Sequence, residues 1–222
     1  MIQSTVKFSQ VKDRFDAEYY KPEFLELEKL ISGSGTKFIR LGGMASKIRY
    51  GTSEKVAYQE KGVPFLRVTD IDDFFTIEPE NGKFISKQQA EKLKSYSVDE
   101  GDILISRTGT LGSVVYITKR LSGSIFGSYF IKVILQKDTL SPIFVSVFLN
   151  SPWGKLQTER AASGGIQTNI TIEMIQNLLI PELKKSDQDR VAKIYIEAVE
   201  TRRKAKELVD KSREEVERII KK

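Results

Sequence analysis

The sequence predicts an α+β protein: a mixed domain of short strands and helices, followed by a long, coiled-coil-like C-terminal helix. Three observations carry this expectation. Through residues 37–183, short runs rich in Val, Ile, Phe and Tyr alternate with turn residues, the pattern of short strands. From about residue 186 to 220, small and apolar residues recur at steps of three and four on a charged background. A chain of 222 residues, 40% hydrophobic and 30% charged, can also bury a core as one or two domains.

The first part, residues 1–36, holds one short helix. Pro22 suits its first turn, Phe24, Leu27, Leu30 and Ile31 share one side, and Gly33 and Gly35 end it. The second part, residues 37–183, carries strand candidates at 38–41, 64–68, 103–106, 114–118 and 129–135. Between Ile105 and Val114, Arg107-Thr108-Gly109-Thr110-Leu111-Gly112 reads as a hairpin connection. Ser86 caps a helix running to Ser95, with Gln89 at the capping-box position. Pro142 opens another helix, broken near Ser151-Pro152-Trp153-Gly154 and resumed toward Arg160. A short helix then precedes a last strand at 178–180. The third part, residues 184–222, is the long helix. Val191, Ile194, Ala198, Thr201, Ala205, Leu208, Ser212 and Ile219 form its heptad-like seam. Such a helix spans about 52 Å, beyond a domain of this size, so its stripe faces water unless a second helix covers it. A pairing helix is the favoured reading, and a surface helix folded back on the core is the alternative.

Composition narrows the function. There is no cysteine, which removes disulfides and thiolate metal sites. There is no histidine, which removes His-based acid–base catalysis, Ser-His and Cys-His nucleophiles and most zinc chemistry. No apolar run nears the roughly 20 residues of a membrane helix, and the first residues lack a signal-peptide core. These absences point to a cytoplasmic protein with no membrane partner. The net charge of +6 permits a polyanionic partner. Thirteen basic and nine acidic residues between Lys184 and Lys222 carry +4 of it. A DNA-binding face elsewhere therefore needs its basic residues gathered on one side.

Catalytic motifs are missing one by one. A base methyltransferase needs a Gly-rich loop for its methyl donor and an Asn/Asp-Pro-Pro-aromatic loop, and neither occurs. Gly109-Thr110-Leu111-Gly112 sits between two strands rather than opening a helix, so it is a turn and not a nucleotide fingerprint. Glu182-Leu183-Lys184 has half of a nuclease motif without a Pro-Asp upstream, and reads as the exit from the last strand. Asp70, Asp72 and Asp73 lack the Gly and terminal Glu of a calcium loop, and read as a turn or cap. No catalytic residue, metal or cofactor is assigned.

Four polar clusters are candidates for DNA contact. The first is Lys47, Arg49, Tyr50 and Thr52, and the second Arg67 and Thr69. The third is Arg107, Thr108 and Thr110 on the hairpin. The fourth is Arg160, Ser163, Gly165, Gln167, Thr168 and Asn169. Arg reads guanine, Asn and Gln read adenine, and hydroxyls hold phosphate. Glycine lets a backbone approach closely. Taken singly, each cluster has the composition of an ordinary solvated loop.

In order and spacing, several stretches resemble the specificity (S) subunit of type I restriction–modification systems. They are Arg14-Phe15-Asp16-Ala17-Glu18-Tyr19-Tyr20-Lys21-Pro22, Gly62-Val63-Pro64-Phe65-Leu66-Arg67-Val68-Thr69-Asp70-Ile71, and Gly101-Asp102-Ile103-Leu104-Ile105-Ser106 running on through Gly112. The Leu149-Asn150-Ser151 to Gly165-Ile166-Gln167 segment, Leu179-Ile180-Pro181 with Gln188, and the long charged helix complete the set. The resemblance covers nearly the whole chain. It implies a non-catalytic subunit that binds double-stranded DNA for separate modification (methyltransferase) subunits and a restriction subunit. The chain departs from the family in length, with one target-recognition domain and one spacer helix where the family carries two of each. The resemblance therefore implies a half-length form, either a homodimer paired through the long helix or a piece of a longer subunit. In a homodimer, Val191, Ile194, Ala198, Ala205, Leu208 and Ile219 would meet the partner, and each copy would read half of a bipartite palindrome. The N-terminal helix is expected against the long one. Arg202, Arg203, Lys204 and Glu207 are expected to face solvent or partner protein rather than bases. A protein-interaction adaptor that has lost DNA binding is the alternative from another class.

Overall fold

Ile103, Leu104 and Ile105 are all fully buried, so this continuous apolar run is an inner strand covered on both faces. The structure, a computed structural model, describes residues 5–7, 11, 14–164 and 169–221. Its elements in chain order are α1 (Pro22–Gly33), β1 (Phe38–Arg40), α2 (Leu41–Met44), β2 (Ala45–Tyr50), β3 (Val63–Leu66), β4 (Lys83–Ile85), α3 (Lys87–Lys92), β5 (Ile103–Ser106), β6 (Val114–Tyr116), β7 (Ile125–Phe126), β8 (Phe130–Leu135), α4 (Pro142–Asn150), α5 (Pro152–Ala162), α6 (Ile172–Gln176), β9 (Leu179–Pro181) and α7 (Lys185–Ile220). This is the α+β architecture with a long terminal helix that the sequence predicts.

Three sheets share the core. The largest is antiparallel with strand order β2-β8-β5-β6, the second is β4-β3-β7, and β1 pairs with β9. Its two faces are buried differently. Ile103, Ile105, Ile131 and Val133 lie against Phe144, Val145 and Leu149 of α4. Leu104, Val115 and Phe130 pack on the other side with Leu66, Val68, Ile117 and Phe126. Asn150, at the end of α4, accepts from the Val114 N–H at 3.0 Å and donates to its carbonyl at 2.7 Å, which satisfies the backbone of β6. The β5–β6 hairpin turns through Gly112 at φ 69°, where a side chain would also collide with Thr158.

The punctuation is where the sequence places it. Pro22 and Pro142 open α1 and α4. The Ser86 hydroxyl accepts from the Gln89 N–H at 3.1 Å. The helix it caps ends at Lys92 and passes into a 3-10 turn at Lys94–Tyr96, short of the expected single helix to Ser95. Three strands differ more. Residues 47–50, read as the start of a polar turn cluster, belong to β2, because Ile48 and Tyr50 turn inward while Lys47 and Arg49 do not. β4 and β7 have three and two residues, too short for a periodic signal.

The ends are arranged against expectation in one respect. α1 packs against α5, with Glu28 bridging Arg160 at 2.8 Å, and not principally against α7. The Arg14–Tyr20 stretch closes over the same end of α5. Arg14 holds Asp16 at 2.6 Å and donates to the Ser163 carbonyl at 2.5 Å. The N-terminal stretch is thus part of the fold's wall.

α7 begins docked and ends free. The Gln188 side chain, 3% exposed, accepts from the Ser141 N–H at 2.7 Å and donates to the Leu183 carbonyl at 2.9 Å. Val191 packs on the main core. Arg202, expected to point outward, instead bonds Asp72 of the domain, because Asp72 stands on a turn facing this side of the helix. Farther along, Leu208, Val216, Ile219 and Ile220 are exposed.

Candidate nucleic-acid interface

A cleft of about 710 Å³ opens where the end of β3, the β5–β6 hairpin and the β7–β8 connection converge. Thr52, Phe65, Leu66 and Gly127 form its inner part, and its lining also includes Lys55, Tyr58, Arg67, Thr69, Thr108, Gly109 and Tyr129, with one acidic residue, Glu54, among them. The exit of β2 crosses the β7–β8 connection so closely that a side chain on Gly51 would meet the Gly127 carbonyl. Thr52 N–H donates to the Phe126 carbonyl at 3.1 Å, and Ser128 N–H to the Thr52 carbonyl at 2.8 Å. These bonds join residues 74 and 76 positions apart in sequence and fix the floor of the cleft.

Arg67 is the best-positioned cation on this surface. Its Nε and Nη2 donate to Asp70 at 3.1 and 2.5 Å, and its guanidinium lies 5.7 Å from the Tyr58 ring. The Asp70 hydrogen bond outweighs desolvation and raises the Arg67 pKa. Asp70 also accepts from the Arg67 N–H at 3.0 Å, so one carboxylate holds both the backbone and the fork. An arginine oriented this way presents a fixed planar edge, the geometry that bidentate guanine recognition requires. Asp70 and Asp72 serve as turn residues here. Among the described residues no cluster of three or more acidic side chains is arranged to hold a metal ion.

Four of the sequence candidates meet in the cleft: Thr52, Arg67, Thr69 and Thr108. Thr110 is exposed on the same hairpin loop. Arg107 belongs to its base: its guanidinium stacks on Tyr50 at 4.7 Å, and its N–H donates to the Tyr129 carbonyl at 2.9 Å. Tyr50 is half-buried in the main core, and its hydroxyl accepts from the Ile172 N–H at 3.2 Å. Lys47 is exposed, while Arg49 stacks on Tyr96 at 4.5 Å and bonds the Ser95 carbonyl, away from the cleft.

The fourth cluster does not join them. Arg160 lies 4.2 Å over the Tyr19 ring, donates to the Tyr19 carbonyl at 3.1 Å and pairs with Glu28, so its side chain is engaged within the fold. Ser163 bonds back to the Arg160 carbonyl at 2.8 Å. Asn169 is half-buried. Gly165, Gln167 and Thr168 lie outside the described residues. Sequence reasoning missed Lys55, Tyr58, Ser128 and Tyr129. Tyr129, 62% exposed beside Gly127-Ser128, had a signal: an aromatic residue on a Gly-Ser turn. It was absorbed into the strand that follows.

Of the helix candidates, Val191 packs on the domain, whereas Ile194, Ala198, Ala205, Leu208 and Ile219 are exposed. No helix among the described residues is long and apolar enough to cross a membrane.

The fold is that of restriction–modification specificity chains. An S subunit of a type I system from M. genitalium aligns with a TM-score of 0.55 and 18% identity, covering 88% of this chain and 49% of that one. The HsdS subunit from Thermoanaerobacter tengcongensis aligns at 0.52 and 21%, covering 81% and 43%. The type IIG restriction endonuclease BpuSI aligns at 0.60 and 14%, covering 81% and 28%. The chain thus spans about half the length of the specificity subunits it matches. Residues 33–207 match the family described as the type I restriction modification DNA specificity domain, and the chain belongs to that family. A search of curated proteins finds no significant match.

Proposed function

We propose that this chain is the sequence-reading subunit of a type I restriction–modification complex, without catalysis or cofactor of its own. Residues 37–183 form the DNA-binding unit, residues 1–36 are an N-terminal segment whose short helix α1 braces it, and residues 184–222 supply the spacer and pairing helix. Two copies pair through α7 and present two recognition surfaces to a bipartite palindrome. Separate methyltransferase and restriction subunits in the cytoplasm then act at the site they mark. The single observation that carries this reading is the cleft. Arg67 and Thr69, at the end of β3, converge there with Thr108 of the β5–β6 hairpin and with Tyr58 and Tyr129, mixing a guanine-reading cation, hydroxyls and exposed rings.

Gel shifts across a salt series test it. The duplex the chain selects should be released by roughly a thousandfold between 50 and 200 mM salt, as counterion release weakens. Arg67→Ala should cost about 1–3 kcal/mol of sequence discrimination, whereas Lys55→Ala should weaken all duplexes alike. If no duplex binds even with modification subunits present, the reading fails and the adaptor alternative replaces it.

A further inference from the structure

The turn Asp72–Thr76 lies between α5 and α7 and holds a cation from each. The Asp72 carboxylate accepts from the N–H of Phe74 and of Thr76, both at 2.9 Å, and from the Thr76 hydroxyl at 2.7 Å. These bonds fold the turn. The same carboxylate takes Arg202 from α7, and Arg202 reaches the Thr76 hydroxyl at 3.4 Å. Its guanidinium lies 4.5 Å over the Phe74 ring. The next residue, Phe75, has φ 56°, a costly left-handed conformation for a bulky side chain that persists only when its surroundings impose it. The Phe75 ring sits 4.9 Å from Lys155 Nζ, and Lys155 donates to the Gly112 carbonyl at 2.9 Å, at the base of the β5–β6 hairpin. One strained turn therefore ties the hairpin that borders the cleft to the long helix.

α7 is fixed near its start by Gln188 and again, fourteen residues on, by Arg202. That separation is about 21 Å, and the helix continues for about 27 Å past Arg202. We propose that the Asp72–Thr76 turn is a latch that sets the direction of α7, and that Arg202 is a spacing-determining residue fixing the gap between two recognised half-sites. This rests on the two-copy reading proposed above. Without the distal hold, the part of α7 beyond the packed Tyr195 and Val199 pivots about Val199. A pivot of about 10° swings its far end, about 32 Å away, by about 5.5 Å. That exceeds one base-pair step at about 3.4 Å. Arg202 touches no base in this scheme and acts as a positioning residue.

Two spin labels and a duplex selection test the latch together. The chain has no cysteine, so Lys87→Cys and Lys211→Cys give two unique labels, one on the domain and one on the far half of α7. The labelled chain is diluted into unlabelled chain and the distance distribution recorded by pulsed electron resonance. The parent should give one narrow peak, Arg202→Met a distribution at least twice as wide, and Arg202→Lys an intermediate one. Phe74→Ala leaves every charge in place and should broaden it too, which keeps the test sound if Arg202→Met fails to fold. From a randomised duplex pool, the parent should select one gap and Arg202→Met the same half-sites at two or more adjacent gaps. A parental width in Arg202→Met and Phe74→Ala overturns the latch. A broad distribution with a single unchanged gap overturns the spacing role. If the parent selects no duplex, the DNA reading falls and the spacing role with it, while the widths still decide the latch.

Discussion

Both halves of α7 are densely charged, and their surroundings are opposite. In the first half, Gln188, Val191, Ala192, Tyr195, Val199 and Arg202 turn toward the domain and are wholly or partly buried. In the second half Leu208, Val209, Val216, Ile219 and Ile220 are between 48% and 77% exposed. At about 100° per residue, the stripe through Ile194, Ala198, Thr201, Ala205, Leu208, Ser212 and Ile219 lies roughly a third of a turn away from the docked face. A single helix thus carries two apolar faces, one used inside the fold and one exposed. The heptad-like seam read from sequence merges them, because Val191 belongs to the first face and the rest to the second.

The largest effect should come from the docked half. Gln188→Ala leaves the Ser141 N–H and the Leu183 carbonyl without their partner in a buried place, and should cost about 2–3 kcal/mol. In a chain of this size thermal melting should then fall by roughly 5–10 °C. A melt within a degree of the parent would remove Gln188 as an anchor.

Tyr195 sharpens the same comparison through pH. Burial pushes its hydroxyl up to about 12, with Asp72 and Tyr116 adding to the shift. The fold favours the protonated phenol. Its contribution is therefore complete below the ordinary tyrosine value, about 10, and is lost as pH rises through about 12. Phenolate absorbance should show a late-titrating tyrosine that disappears in Tyr195→Phe. Titration of Tyr195 together with the exposed tyrosines would mean that the first half of α7 is not docked. Asp72 moves the other way: burial opposes its ionisation, but hydrogen bonds from Arg202 and Thr76 win and hold it below the usual carboxylate value.

The smallest effect belongs to the free half. Leu208→Ala in dilute, unpaired chain should change stability by no more than about 0.5 kcal/mol in chemical denaturation, because its side chain is 66% exposed. A cost of several kcal/mol would place Leu208 against the chain's own domain and erase the difference between the halves.

What was legible in the sequence was local. The Ile103–Ile105 run, the Ser86–Gln89 cap, Pro142 and the glycines of the hairpin each carry their own short-range physics. What was not legible depended on distant partners. Arg67 and Arg160 have the same side chain in similarly polar segments. Arg67 is held by Asp70, three residues away, whereas Arg160 is engaged by Tyr19 and Glu28, more than 130 residues upstream. Composition cannot separate them. Tyr50 looked like a surface ring because its neighbours are basic, yet strand alternation buries it and leaves Arg49 on the other face. Arg202 looked solvated because the carboxylate that holds it lies 130 residues earlier.

Selection from a randomised duplex pool by the unmodified chain tests the central claim most directly. The account predicts enrichment of an inverted repeat: two identical half-sites separated by a non-specific gap of one fixed length. Enrichment of a single uninterrupted motif would contradict pairing through α7, and no enrichment at all would contradict DNA reading itself.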